Sequence, residues 1–63
     1  MRIFSIKTQS DGGVAVTEED RETEYQFSDM IDALSFVRRQ RCGEPVTLVF
    51  YDASGRVTKT GQL

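Results

Sequence analysis

The sequence predicts an α+β domain in which one helix packs on one face of a four-stranded, mainly antiparallel sheet. Two observations predict this class: four short segments have the character of strands, two of them with apolar and polar residues alternating with period two, and one segment between them has the period of an amphipathic helix. The resulting order is strand, strand, helix, strand, strand (ββαββ). A chain of 63 residues closes one hydrophobic core, so residues 1–63 are expected to form a single small domain.

Residues 2–17 predict a β-hairpin. Phe4 and Ile6 alternate with polar residues, the pattern of a strand with one buried face. The segment 9–13 contains an aspartate and two glycines, which favour a turn. Residues 14–17 then resume the alternation with β-branched side chains and predict the second strand.

The segment after this hairpin leaves several interpretations open. Residues 18–24 hold five acids and one arginine and are expected to be solvated. Tyr25 and Phe27 alternate with polar neighbours, so residues 18–27 extend the second strand, add a further short strand or form a loop.

A helix is predicted to begin at Ser28, a good N-cap, with Asp29 and Asp32 near the positive end of the helix dipole. Phe36 lies on the flank of the predicted buried arc. Arginines in the last turn and Gly43 beyond it mark the end of the helix. The arc spans about 160°, as in a helix lying on a sheet, and contains Met30, Ile31, Ala33, Leu34 and Val37.

Residues 46–51 predict the most apolar strand, and because both of its faces are apolar we expect it to be central. Residues 52–55 favour a type I turn, residues 56–59 a polar edge strand, and residues 61–63 are expected to fray. With the helical arc, the predicted core contains Phe4, Ile6, Val14, Val16, Val46, Leu48, Phe50 and Val57.

The succession of these segments resembles a family of short bacterial proteins of unknown function. The likeness rests on the residues 11–16 (DGGVAV), the acidic stretch up to Phe27, the helix containing Ala33, and the residues 46–49 (VTLV) followed by 52–57 (DASGRV). It covers roughly residues 2 to 58. The resemblance implies the strand-strand-helix-strand-strand fold and implies no activity.

Composition argues against most catalytic chemistry. The chain has no histidine, which removes the commonest acid/base catalyst and metal ligand. Its one cysteine, Cys42, has no histidine to activate it, so we expect a structural thiol. We therefore predict a protein that is not an enzyme and uses no cofactor, metal or small-molecule substrate. The polar N-terminal segment and the lack of a long apolar run predict a cytoplasmic protein without a membrane span.

The surface favoured for function is the sheet face opposite the helix, since one helix covers only one face. Ile3, Val49 and Tyr51 form an apolar patch there if the first and third predicted strands are neighbours, and Phe36 is a second candidate contact. Isolated apolar residues on a solvated face are the competing interpretation. We expect a small interaction domain, a homodimer or a partner of another protein, that associates through this face or an edge strand.

The alternative function is weak nucleic-acid binding through Arg38, Arg39 and Arg41, since clustered guanidiniums bind phosphates. Two observations disfavour it: the net charge is −2, and cations belong at a helix C-terminus for electrostatic reasons alone.

Overall fold

The computed structural model describes residues 2–63 and confirms an α+β domain with one helix among these residues. The sheet has five strands, so the prediction of four is wrong. The elements in chain order are β1 (Arg2–Thr8), β2 (Val14–Glu18), β3 (Glu24–Phe27), α1 (Met30–Gln40), β4 (Val46–Tyr51) and β5 (Val57–Gln62). The additional strand is β3, one of the interpretations that the sequence left open.

The sheet is mixed and has the order β3-β2-β1-β4-β5. β1 pairs antiparallel with β2, β2 with β3, and β4 with β5. The two predicted hairpins meet through a parallel pair, β1 with β4. A parallel neighbour requires a long crossover connection, which β2, β3 and α1 together provide. β4 is therefore an inner strand, as its two apolar faces predict.

The two hairpin turns depend on glycines in the left-handed region. Gly12 has φ +92° and donates its N–H to the carbonyl of Gln9 at 3.0 Å, and Gly55 has φ +91° and bonds the carbonyl of Asp52 at 3.0 Å. The Asp52 carboxylate accepts hydrogen bonds from the Ser54 hydroxyl at 2.7 Å and from two backbone N–H groups. These hydrogen bonds hold the pKa of Asp52 below its usual value, and the bond from the Ser54 hydroxyl has the largest effect.

The core lies between α1 and the sheet, and its buried members are Phe4, Ile6, Val14, Val16, Ala33, Val37, Val46 and Leu48. Two predicted core residues are exposed instead: Ile31 is 76% exposed and Val57 is 57% exposed. Leu63 packs against this core and exchanges two backbone hydrogen bonds with Val46, so it does not fray.

The exposure of Ile31 follows from where the helix lies. α1 packs against β2 and β3, and its flank residue Phe36 contacts the rings of Tyr25 and Phe27 on β3, at centroid distances of 4.6 and 5.2 Å. Because of this contact, the side of α1 that faces the core includes Phe36 and leaves Ile31 exposed. The helix also begins one residue later than predicted, because Asp29 rather than Ser28 is the N-cap and accepts the Asp32 N–H at 2.9 Å.

Candidate functional site

The face of the sheet opposite α1 is the surface that the sequence singles out, and the register fixes its composition. Residues paired across strands share a face, so each ladder can be followed across the sheet. One ladder joins Gln26, Ala15, Lys7, Tyr51 and Val57, and the next joins Glu24, Thr17, Ser5, Val49 and Thr60. A third joins Ile3, Thr47 and Gln62. We call this surface the open face.

Four apolar side chains form a diagonal ridge across the open face: Ile3, Val49, Tyr51 and Val57. β1 and β4 are neighbours, which meets the condition for the predicted patch. Ile3 pairs with Thr47 and is therefore the diagonal neighbour of Val49, while Tyr51 pairs directly with Val57. Diagonal and direct neighbours in a sheet lie within contact distance for large side chains. The three predicted residues of the ridge are each partly buried.

Val57 is the ridge residue that the sequence analysis missed. A register shift between Phe50 and Tyr51 brings Val57 opposite Tyr51, whereas Phe50 stays opposite Lys59. An irregularity of this kind moves a side chain to the other face of the sheet. The predicted strand 56–59 has one apolar residue, so no alternation in the sequence fixes its register.

A shallow hollow of about 270 Å³ lies beside the ridge. Small side chains form its floor, namely Ser5, Ala15 and Thr17, and its rim includes Lys7, Glu24, Tyr51 and Gly55. Ala15 is only 3% exposed although it lies on the open face. Its ladder neighbours are the long side chains of Lys7 and Gln26, which flank the small residue on either side.

Phe36 does not belong to this surface, because it lies on α1, on the other side of the sheet. Its ring packs against Tyr25 and Phe27 and against the hydrophobic core. Phe36 is therefore a packing residue that holds β3 to the helix, and its role as a contact for a partner stays a prediction.

The three arginines of the alternative function do not form one charged surface. Arg38 and Arg39 are exposed in the last turn of α1, but Arg41 is partly buried. Arg41 is the C-cap residue, and its Nη1 donates to the carbonyl of Glu44 at 3.3 Å while its backbone N–H bonds Val37. Two of the three arginines are thus exposed, and the third ends the helix.

Arg2 links β1 to β2 and to the C-terminal end of α1. Its Nε and Nη2 donate to the two carboxylate oxygens of Glu18 at 2.8 and 3.0 Å, and its Nη1 donates to the carbonyl of Gln40 at the end of α1. The hydrogen bond between the side chains lowers the pKa of Glu18 and raises the pKa of Arg2. This bidentate pair joins β1, β2 and the helix and is satisfied within the chain.

Within residues 2–63, no group of three or more histidine, cysteine, aspartate and glutamate side chains is placed to hold a metal ion. Cys42 is exposed, and its Sγ lies 3.7 Å from the carbonyl oxygen of Arg39. The one helix described over the same range is not long and apolar enough to cross a membrane.

No family model, curated protein or solved structure matches the chain. The resemblance to short bacterial proteins of unknown function therefore stays a prediction.

Proposed function

We propose that this protein is a small non-enzymatic interaction domain that self-associates through the open face. The observation that carries the proposal is the ridge, in which Ile3, Val49, Tyr51 and Val57 lie next to one another across three strands. Contiguous apolar residues on a sheet face without a covering helix are typical of interaction sites.

The two edge strands are the other route to self-association, and both carry features that oppose it. β3 is four residues long and carries Glu24, with Glu22 just before it. β5 contains the register shift and Lys59. Short strands, bulges and charged residues are the common means by which proteins prevent pairing between sheet edges. The face is therefore the better supported surface.

The size of the open face favours a weak dimer. Five strands spaced about 4.8 Å apart and about five residues long give a face of roughly 400 Å². Covering it on two copies buries less than the roughly 1,600 Å² of a standard interface. We expect dissociation constants in the micromolar range, since affinity at this size depends on a few well-packed residues.

Sedimentation velocity from low micromolar to near millimolar concentration tests this proposal. The wild-type chain is expected to approach twice the monomer mass, and Val49→Lys is expected to remain a monomer with an unchanged circular dichroism spectrum. Ile31→Lys is the matched control, because it places the same charge on an exposed aliphatic residue on the other side of the sheet. A folded wild-type monomer at every concentration would overturn the proposal, as would dissociation by the Ile31 variant alone.

Weak nucleic-acid binding is the second candidate, and the exposure of Arg38 and Arg39 supports it. It predicts that a short labelled oligonucleotide binds at low salt and is released steeply as salt rises. Replacing both arginines by glutamine should abolish that binding. Anisotropy that stays flat at low salt removes this candidate.

A further inference from the structure

α1 covers only part of the sheet face on which it lies, because it packs against β2 and β3. The register places Phe50 and Lys59 on the same face, since Phe50 pairs with the buried Ile6 on one side and with Lys59 on the other. Gly61 also belongs there, because it pairs with the core residue Leu48. The helix-side surface of β4 and β5 therefore continues beyond the helix.

The side of α1 that points away from β3 carries apolar residues and one cation. Ile31, Leu34 and Arg38 lie along this side, since they are three and four residues apart. Asp32 and Phe36 lie on the opposite side, where the Phe36 ring contacts β3. Ile31 is 76% exposed and Leu34 is partly buried. We define the helix groove as the channel between α1 and β5 that is lined by Ile31, Leu34, Arg38, Phe50, Lys59 and Gly61.

The floor of the helix groove has room for a side chain of a partner. Gly61 is not among the glycines with positive φ, and no atom outside its chain neighbours lies within 4 Å of the place where a Cβ would be. Phe50 on the neighbouring strand and Leu63, two residues after Gly61, are both partly buried beside this gap. An aliphatic side chain over Gly61 therefore removes apolar surface from water.

Each wall of the helix groove carries one cation without a carboxylate partner. The Lys59 Nζ lies 4.9 Å from the centre of the Phe50 ring. Arg38 is exposed on α1. Within residues 2–63, the single ion pair joins Arg2 and Glu18, so neither cation of the groove is neutralised by an acid of this chain.

The acids near these elements lie elsewhere. The Asp52 carboxylate accepts hydrogen bonds within the turn between β4 and β5. Asp29 caps the first turn of α1, and Asp32 lies on the side of α1 that faces β3. Glu44 lines a separate hollow together with Arg2. The helix groove thus combines apolar walls with a positive potential.

We propose that the helix groove binds an acidic segment of another protein that also carries aliphatic residues. The aliphatic side chains pack over Gly61, and the carboxylates lie beside Lys59 and Arg38. Charge complementarity favours this occupant. Nucleic acid is disfavoured because Lys59 covers the ring of Phe50, on which a base would stack.

A second copy of this chain supplies no such segment. Residues 18–24 are acidic but contain no aliphatic residue. Tyr25 follows them, and its ring already packs on Phe36 at 4.6 Å. The occupant is therefore a different protein. The helix groove contains no residue of the open face, so this inference stands apart from the proposed self-association.

Fluorescence anisotropy with a labelled synthetic peptide tests this proposal. The probe has about eight residues, half of them glutamate and half leucine, and is expected to bind saturably in the micromolar range. Peptides with glutamine in place of glutamate, or serine in place of leucine, are expected to bind about tenfold more weakly, because each loses one of the two attractions.

Charge reversals locate the site. Lys59→Glu and Arg38→Glu should each weaken binding about tenfold, because a repulsion replaces an attraction. Lys7→Glu on the open face and Arg39→Glu, turned about 100° from Arg38 on α1, are the matched controls and should change the affinity less than about twofold. Gly61→Phe should fill the floor and abolish binding with an unchanged circular dichroism spectrum.

Three outcomes would overturn the proposal. The first is a folded wild-type chain that does not bind the glutamate–leucine peptide, and the second is equal loss of binding in the groove variants and their controls. The third is another occupant, shown by an oligonucleotide whose binding Lys59→Glu abolishes while the peptide does not bind, or by self-association that Lys59→Glu abolishes. Val49→Lys should keep the full affinity for the peptide, which separates this inference from the proposed self-association.

Discussion

Replacing Phe36 by alanine tests the contact that distinguishes this fold from the four-stranded one. Phe36 is partly buried and lies 4.6 Å from Tyr25 and 5.2 Å from Phe27. Burying most of a phenylalanine contributes about 2 kcal/mol. Each aromatic pair adds about 0.5 to 1.5 kcal/mol. The higher helix propensity of alanine offsets about a few tenths of a kcal/mol of this loss. We expect Phe36→Ala to lower the free energy of unfolding by about 3 kcal/mol.

That loss is large for a chain of this size. A domain of 63 residues is expected to be stable by about 3 to 9 kcal/mol. The midpoint of thermal unfolding should fall by about 12 to 24 °C, measured by far-ultraviolet circular dichroism and checked by urea titration. Ile31→Ala, on the same helix, should change stability by less than about 0.5 kcal/mol. If the Ile31 variant is the more damaging of the two, the helix lies on its other flank and the placement of β3 is wrong.

Two further predictions concern stability. The pKa of Glu18 is held below its usual 4.5 by the hydrogen bond to Arg2, so its contribution is fully present above that pH and is lost as the pH falls through the lower folded-state value. Urea titrations between about pH 5 and pH 2 should show a shallower loss for Glu18→Gln than for the wild type, and parallel curves would contradict this. Gly55→Ala should destabilise the domain by about 1 kcal/mol because φ is positive there, whereas Gly61→Ala should be neutral or slightly stabilising. Equal effects of the two substitutions in thermal melts would show that the positive φ is not the cause.

The local pattern was sufficient to predict the hairpins, the helix and most of the core. Phe4, Ile6, Val14 and Val16 alternate cleanly, and the turns carry glycines where the backbone needs a positive φ. Period and turn chemistry are local properties, so the sequence displays them directly. The candidate surface followed from the same alternation, which placed Ile3, Val49 and Tyr51 on one face.

Three features depended on tertiary structure. The four residues of β3 carry too short a pattern to be told from a loop, and pairing with β2 makes them a strand. Once β3 widens the sheet, the helix turns toward Phe36, and Ile31 becomes exposed. The register shift in β5 moves Val57 to the open face. The residues around Val57 are polar, so the sequence has no apolar alternation from which the shift could be predicted.

Backbone amide chemical shifts followed against chain concentration test the central claim most directly. If the open face is the surface of self-association, the shifts that move together with concentration will belong to β1, β4 and β5 and will be largest around the ridge residues Ile3, Val49, Tyr51 and Val57. The amides of α1 should stay nearly constant. Shifts that remain unchanged up to millimolar concentration, or that move only in α1, would contradict the claim.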